Sequence, residues 1–282
     1  MKPFFYSAFL FLCVIVPTAT AQIPDAAAMG YVREGIAREK KGDLDGAIAA
    51  YTRAIQRDKG FSGAYNNRAL ARKAKGDLDG ALADINKAIE AQPRNFFAYF
   101  NRGSIWQARG DLSAAIADYT SAIKMGPSIA SFYIHRGIAR RAKGDVDGAL
   151  ADYTKALKLE SKLPAAYMKR AGILKERGDL DGAVADYTSV IKNEPNYAIA
   201  YANRGNLLLI KKDYAGAVAD FSKAIELSPR QEFLYANRGI ALLLLGREVE
   251  AQKDFDLYLK LVPYMKATLE ERIMKAKTEA RP

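Results

Sequence analysis

The sequence predicts an all-α protein, an α-solenoid of seven helix-turn-helix units followed by a capping helix at its C-terminal end. The first observation is a 34-residue period, and such a period is typical of repeat architectures. The period is clearest for the tyrosines, which are Tyr31, Tyr65, Tyr99, Tyr133, Tyr167, Tyr201 and Tyr235. The second observation is that apolar residues recur every three or four positions on both sides of a glycine within each period, which indicates two helices. Since one such hairpin cannot bury its own apolar face, the units must stack.

Residues 1–21 have the pattern of a cleavable secretory signal. Lys2 supplies a positive start, Phe4 to Val16 is almost entirely apolar, and small residues lead to a cleavage position after Ala21. The apolar run is shorter than the roughly 20 residues that span a bilayer, so an uncleaved anchor is the weaker alternative. The only cysteine, Cys13, lies within this segment. We therefore predict a periplasmic or secreted protein whose remaining chain contains neither a disulfide nor a thiolate site.

The rest of the chain divides by the same period. A short leader at 22–27 precedes seven units at 28–61, 62–95, 96–129, 130–163, 164–197, 198–231 and 232–265. Residues 266–282 are predicted to form a capping helix and tail, because Leu269, Ile273 and Ala276 share one helical face. Linkers of low complexity do not interrupt the units, which predicts one elongated domain.

Arginine and aspartate also keep the period in units two to seven. Arg136 follows Tyr133 by three residues, for example, and Asp152 precedes the second aromatic residue of the same unit. The first unit has Glu34 and Ala50 at these two positions and so lacks both partners together. This joint loss predicts a partly buried Arg–Asp pair between the two helices of each later unit.

The recurring stretch KGDLDGA at 41–47 raises the alternative of a calcium loop. With Gly46 at the sixth position of an EF-hand loop, however, Lys41 and Thr52 occupy the first and last ligand positions, which require oxygen donors and a bidentate glutamate. The stretch is better explained as a turn in which Asp43 caps the second helix. The sequence contains a single histidine and neither a P-loop nor a dinucleotide-binding motif. We therefore expect no metal, no cofactor and no enzymatic activity.

The order of residues within a unit resembles the tetratricopeptide repeat. In the third unit this order is carried by Tyr99, Gly103, Ala115, Tyr119 and Pro127, and the resemblance covers all seven units. It implies a right-handed superhelix in which the first helix of each repeat lines a concave groove. It further implies a non-enzymatic scaffold that binds proteins, similar to adaptors of the bacterial cell envelope.

The position two residues after each tyrosine faces the groove in that family. Asparagine occupies it in four units, which resembles the asparagine ladder that holds the backbone of an extended peptide, since an amide both donates and accepts hydrogen bonds. Basic and apolar residues of the first helices complete the expected site. The predicted peptide-binding residues are Asn67, Asn101, His135, Lys169, Asn203, Asn237, Arg141, Lys175, Lys73, Phe97 and Phe100.

The charge of the chain bears on the choice of partner. The net charge is +11, which favours anionic partners. Proteins that present extended segments with acidic residues would suit the basic middle of the groove. The alternative is a binder of an anionic envelope polymer or membrane surface that is driven by charge alone. Export makes nucleic acid an unexpected partner, while homo-oligomers are compatible with a repeat array.

Overall fold

The structure is a computed structural model that describes residues 24–279, so the predicted signal at 1–21 lies outside the described residues. All regular structure within residues 24–279 is helical, as the predicted fold class requires. The chain divides into two compact units, which meet in sequence between Lys143 and Gly144 and are called unit 1 and unit 2 below. The repeat boundaries drawn from the sequence remain a prediction.

Unit 1 consists of three helical hairpins and one further helix. Its helices are α1 (Ala26–Glu39), α2 (Leu44–Arg57), α3 (Ser62–Lys75), α4 (Leu78–Ala91), α5 (Phe96–Arg109), α6 (Leu112–Met125) and α7 (Ala130–Ala142). Each hairpin packs its two helices against each other, and its second helix also contacts the first helix of the next hairpin.

Unit 2 begins with a single helix and continues with three hairpins and a final helix. Its elements are α8 (Val146–Leu159), α9 (Pro164–Glu176), α10 (Leu180–Asn193), α11 (Ala198–Ile210), α12 (Tyr214–Leu227), α13 (Glu232–Leu244), α14 (Glu248–Leu261), a 3-10 turn (Pro263–Met265) and α15 (Lys266–Glu279). The last helix packs on α13, where Leu269 and Ala276 are buried in one cluster with Phe255. None of the helices in the described range is long and apolar enough to cross a membrane.

The stretch KGDLDGA forms the turn of a hairpin, as the sequence predicts. Asp43 is the N-cap of α2, and its carboxylate accepts the Gly46 N–H at 2.9 Å. A Cβ at Gly46 would lie 2.1 Å from the Asp43 Oδ2, so a side chain at this place requires the cap to shift. The equivalent residue of the third hairpin is Ala114, which is capped by Asp111 at the same distance of 2.9 Å, so a cap can adjust to a methyl group.

The second aspartate of the stretch connects neighbouring hairpins. Asp45 forms an ion pair with Lys75, which ends the first helix of the next hairpin. Asp79 pairs in the same way with Arg109 at 2.7 Å. The two carboxylates of the motif are therefore used within the protein, one in a helix cap and one in a contact between hairpins.

Glycine ends most first helices in a left-handed conformation. Gly76, for example, has φ = +85° and donates to the carbonyls of Arg72 and Lys73. At the equivalent place after α11, Lys212 adopts φ = +62°, although a side chain is unfavourable in this conformation.

Small residues within the helices permit close approach. A Cβ added at Gly103 would lie 2.8 Å from the ring of Tyr119 and 3.2 Å from the carbonyl oxygen of Ala115. The close spacing of α5 and α6 therefore depends on the absence of a side chain at Gly103.

Five of the six predicted Arg–Asp pairs are confirmed. In each of these, Nε and Nη2 of the arginine donate to the two carboxylate oxygens of an aspartate 16 residues later, at 2.6 to 2.8 Å. The pairs are Arg68–Asp84, Arg102–Asp118, Arg170–Asp186, Arg204–Asp220 and Arg238–Asp254. The sixth, Arg136 with Asp152, involves residues of both units and remains a prediction.

The arginines also contact the preceding hairpin, which the sequence analysis did not predict. Arg68 donates from Nη1 to the Thr52 Oγ1 at 3.0 Å, and Arg204 donates to the Thr188 Oγ1 at 3.0 Å. Each guanidinium thus connects the two helices of its own hairpin and the second helix of the hairpin before it.

Candidate functional site

The first helices of unit 1 lie side by side. α1 contacts α3, α3 contacts α5, and α5 contacts α7. The surface that these four helices form together is called the first-helix face. Seven of the predicted peptide-binding residues belong to these helices. They are Asn67 and Lys73 on α3, Phe97, Phe100 and Asn101 on α5, and His135 and Arg141 on α7.

Asparagine side chains of α3 and α5 form a short hydrogen-bonded chain. Asn101 donates from Nδ2 to Oδ1 of Asn66 at 2.8 Å, and Asn66 donates to Oδ1 of Asn67 at 3.3 Å. Within the described residues, Oδ1 of Asn101 and Nδ2 of Asn67 form no hydrogen bond. They are one acceptor and one donor, which is the requirement for pairing with a peptide group.

Lys73 places a positive charge beside this chain. Its ammonium donates to the Ser104 Oγ at 3.0 Å, and Ser104 in turn donates to the carbonyl of Asn101 at 2.7 Å. Burial lowers the pKa of Lys73 below its ordinary value. No carboxylate within residues 24–278 lies within ion-pair distance of its ammonium, so in this part of the chain the half-buried charge has only a hydroxyl as partner.

An aromatic cluster lies next to Lys73 on α5 and α7. The ring of Phe100 stacks on Phe132 with the centroids 4.9 Å apart, and it meets the His135 ring edge to face at 4.9 Å. Phe97 contacts Phe132 at 6.0 Å. Phe132 is almost fully buried and fixes the cluster, whereas Phe97 and Phe100 are half-buried and remain accessible to an apolar ligand group.

His135 is held in the neutral form in this cluster. Its Nδ1 lies 2.8 Å from the carbonyl of Ser131, so Nδ1 carries the proton and Nε2 is the free acceptor of the neutral ring. Burial lowers the pKa of His135, and the positive charge of Lys73 lowers it further. The hydrogen bond to Ser131 raises this pKa but does not offset the other two effects. The residue is therefore a neutral acceptor near pH 7.

The other predicted residues belong to unit 2. Lys169 and Lys175 are exposed on α9, and Asn203 is half-buried on α11. Asn237 on α13 donates to Oδ1 of Asn206 at 3.0 Å and accepts from Arg272 at 2.7 Å. Both polar groups of Asn237 thus have a partner within unit 2, and ligand contact by these four residues remains a prediction.

The sequence analysis missed several residues that contact the predicted peptide-binding residues. Asn66, Ser104, Phe132 and Arg272 contact the predicted residues directly. For Arg272 a signal existed, because it lies 34 residues after Arg238 and continues the arginine series. No group of three histidine, cysteine, aspartate or glutamate side chains in the described part of the chain could hold a metal ion.

A sequence profile described as tetratricopeptide repeat matches residues 32–96, 66–128, 100–166 and 168–232. These matches cover more than half of the chain. The chain belongs to the tetratricopeptide repeat family. Its fold is that of a protein–protein interaction scaffold, and proteins of this family are generally non-enzymatic. No curated protein matches the chain closely enough to count as a relative.

Solved structures of several other proteins are similar to this chain. The C-terminal part of a repeat-containing protein from Cytophaga hutchinsonii has a TM-score of 0.70 and 18% identity, and the match covers 82% of this chain and 95% of that one. MamA has a TM-score of 0.53 and 25% identity, over 57% of this chain and 94% of its own. YrrB, described as a tetratricopeptide repeat protein with an unusual peptide-binding site, has a TM-score of 0.55 and 24% identity, over 66% and 95%.

Proposed function

We propose that the protein is a non-enzymatic scaffold of the cell envelope that binds extended, acidic segments of partner proteins on the first-helix face of unit 1. The observation that carries this proposal is the environment of Lys73. Among the described residues its half-buried ammonium has a single hydroxyl as partner, so it loses hydration without gaining a counter-charge. A carboxylate from a ligand would supply the missing charge.

The neighbouring groups suit the rest of such a segment. Phe97 and Phe100 offer apolar surface, and aromatic side chains bury much area at little cost in conformational entropy. The Oδ1 of Asn101 and the Nδ2 of Asn67, which form no hydrogen bond within the described residues, offer one acceptor and one donor to the backbone of a bound segment without reading its side chains. YrrB, which has a similar fold and a peptide-binding site described as unusual, is a structural precedent for the peptide binding proposed for this chain.

The envelope location rests on the sequence pattern of residues 1–21. Cleavage after Ala21 would give a mature chain that begins with Gln22. Expression of the full gene product, followed by cell fractionation and N-terminal sequencing, tests this. A cytoplasmic protein that retains Met1 would contradict the proposed location.

The proposed site is tested with short acidic peptides selected from a random display library on the full chain. We expect Lys73→Met to weaken their binding about tenfold, since a hydrogen bond to a charged group contributes about 1.5–3 kcal/mol. The matched control is Lys124→Met, because Lys124 is exposed on α6, a second helix of the same unit. Equal affinities of both variants would refute the site.

The same peptides separate this function from the charge-driven alternative. Binding to an anionic polymer or membrane surface by charge alone should collapse as the salt concentration rises. Binding to a partly buried site should weaken only moderately, because buried charges are screened less. A steep loss with salt, together with an equal response to both lysine substitutions, would favour the polymer alternative.

A further inference from the structure

The last repeat, which forms α13 and α14, carries apolar residues at positions that are polar in the earlier repeats. The position of Leu245 is lysine or arginine in all six earlier repeats, and the position of Val249 is aspartate in four of them. The position of Leu257 is a basic residue or serine in all six. Because the repeats share one fold, the earlier ones serve as an internal control. The fold of a repeat therefore does not require these three apolar residues.

The same side chains are exposed to solvent. Val249 is 74% exposed, although an aspartate at this position of an earlier repeat, Asp181, forms an ion pair with Lys211 of the next hairpin. Nine large apolar residues of the described chain are exposed, and six of them lie between residues 245 and 274. These six are Leu245, Val249, Leu257, Leu261, Tyr264 and Met274. Such a concentration of exposed apolar residues indicates an interaction surface.

Three of these residues form one row along α14. Val249, Leu257 and Leu261 are separated by multiples of four residues, with Lys253 at the remaining place, and residues four apart share a helix face. A groove of about 280 Å³ between α14 and α15 continues this surface, and its walls include Val249 and Ile273. Val249 therefore belongs to both features. The row and the groove are together called the α14 face.

The charges along α14 are complementary to those of a second α14 that runs in the opposite direction. Glu250 lies in the first turn, where it also pairs with Arg247 at 2.7 Å, and Lys260 lies in the last turn. Lys253 and Asp256 are exposed between them. In an antiparallel pair of such helices, Lys260 of one copy lies opposite Glu250 of the other, and Lys253 lies opposite Asp256. Complementary charges of this kind determine the orientation and register of a contact.

We infer that the α14 face binds the same face of a second copy of this chain, with the two α14 helices antiparallel about a two-fold axis. In this register Val249 of one copy lies opposite Leu261 of the other, so the groove beside Val249 lies next to Leu261 and Tyr264 of the second copy. A two-fold contact uses one surface twice and closes at a dimer.

A head-to-tail contact is the alternative arrangement of two copies, and it would need a second apolar surface elsewhere. The described residues of unit 1 include no exposed large apolar side chain, so they offer no such surface. The α14 face also shares no residue with the first-helix face of unit 1. The dimer is therefore independent of the proposed peptide binding, and each can be tested without the other.

The direct test is sedimentation velocity of the full gene product, as the cell processes it, over a range of protein concentrations. We expect a dimer at micromolar concentration. Val249→Asp and Leu257→Lys introduce residues that earlier repeats carry at these positions, so the fold should tolerate both. Each should raise the dissociation constant of the dimer about a hundredfold, because each removes two apolar side chains from a two-fold interface.

The matched control is Ile210→Lys. Ile210 is exposed on α11, outside the α14 face, and the first repeat has Lys40 at the equivalent position. This variant should dimerise like the unmodified protein. A monomer at all concentrations, or equal weakening by Ile210→Lys and Leu257→Lys, would overturn the inference.

Charge reversal tests the antiparallel register. Lys253→Glu places a carboxylate opposite Asp256 of the second copy and should weaken the dimer about tenfold, since this pair occurs twice in a two-fold interface. The double variant Lys253→Glu/Asp256→Lys should restore dimerisation, because opposite charges face each other again. Within one chain, Asp256 accepts a hydrogen bond from Gln252 at 2.8 Å. If the double variant dimerises no better than Lys253→Glu, the register is wrong.

Sedimentation with vesicles of phosphatidylcholine and phosphatidylglycerol distinguishes a second copy from a lipid surface as the occupant. We expect no binding of the dimer that depends on Leu257, because the α14 face is covered. A monomeric protein that binds these vesicles and loses the binding in Leu257→Lys would assign the face to lipid and overturn the inference.

Discussion

Removal of one partner from a buried Arg–Asp pair should be the most destabilising polar change in this chain, and Arg204 is a suitable test. Its guanidinium donates twice to Asp220 at 2.7 Å and once to Thr188 at 3.0 Å. The Asp220 side chain is only 6% exposed, against 21% for Arg204. In Arg204→Ala the carboxylate therefore stays buried without its two charged donors.

The expected cost follows from that burial. Breaking a buried ion pair by removal of one partner costs about 3–5 kcal/mol, whereas an exposed pair contributes about 0–1 kcal/mol. Because the whole free energy of unfolding of a domain is about 5–15 kcal/mol, this is a large fraction of the stability. Thr188→Val removes the bond to Arg204 and also the bond that the Thr188 hydroxyl donates to the Val184 carbonyl at 2.8 Å, and it should cost about 1–2 kcal/mol.

The assay is urea unfolding followed by circular dichroism, which measures the free energy of unfolding. In a repeat protein this free energy is a sum of the stabilities of the repeats and of the interfaces between them, so it responds to a change in either. The control is Lys192→Ala, because Lys192 is exposed on α10. The double variant Arg204→Met/Asp220→Leu should recover most of the loss, as an apolar pair leaves no charge buried. If Arg204→Ala and Lys192→Ala both shift the free energy of unfolding by less than about 1 kcal/mol, the pair is not buried in solution and the reasoning is wrong.

Three further predictions concern the histidine, a turn and a helix contact. Because burial lowers the pKa of His135 in the folded protein, the unfolded state binds a proton first, and stability falls as the pH drops through the unfolded pKa of about 6.5. His135→Phe should reduce this loss between pH 7.5 and 5.5, and parallel pH curves of both proteins would contradict it. Lys212→Gly removes a side chain from a left-handed position and should raise stability by about 1 kcal/mol in thermal unfolding, whereas an unchanged midpoint would show that the turn is unstrained. Gly103→Ala places a methyl group against the Tyr119 ring and should cost about 1–3 kcal/mol. In Gly80→Ala the new methyl group contacts only the side chain of Asp77, which can move, and the helix propensity improves, so the free energy of unfolding in urea should hardly change. If Gly103→Ala and Gly80→Ala lower this free energy equally, the packing argument is refuted.

The candidate sites could be predicted in part. The sequence located Asn67, Lys73, Phe100, Asn101 and His135 on first helices, because side-chain direction follows from helix periodicity. It did not give their partners. The bond of Lys73 to Ser104 joins α3 and α5, the first helices of two consecutive hairpins, and no pattern within a single repeat predicts it.

What the sequence by itself determined is the repeat: two helices, a turn, a cap and a paired arginine and aspartate at fixed spacing. These features depend on interactions within about one hairpin, and the spacing of residues along the chain encodes them directly. The tertiary structure alone decided which charges of the described residues form an ion pair. Whether Arg272 meets an aspartate or an asparagine depends on the residue that packing brings opposite it on the neighbouring helix, and packing also determines how much water remains around each charge.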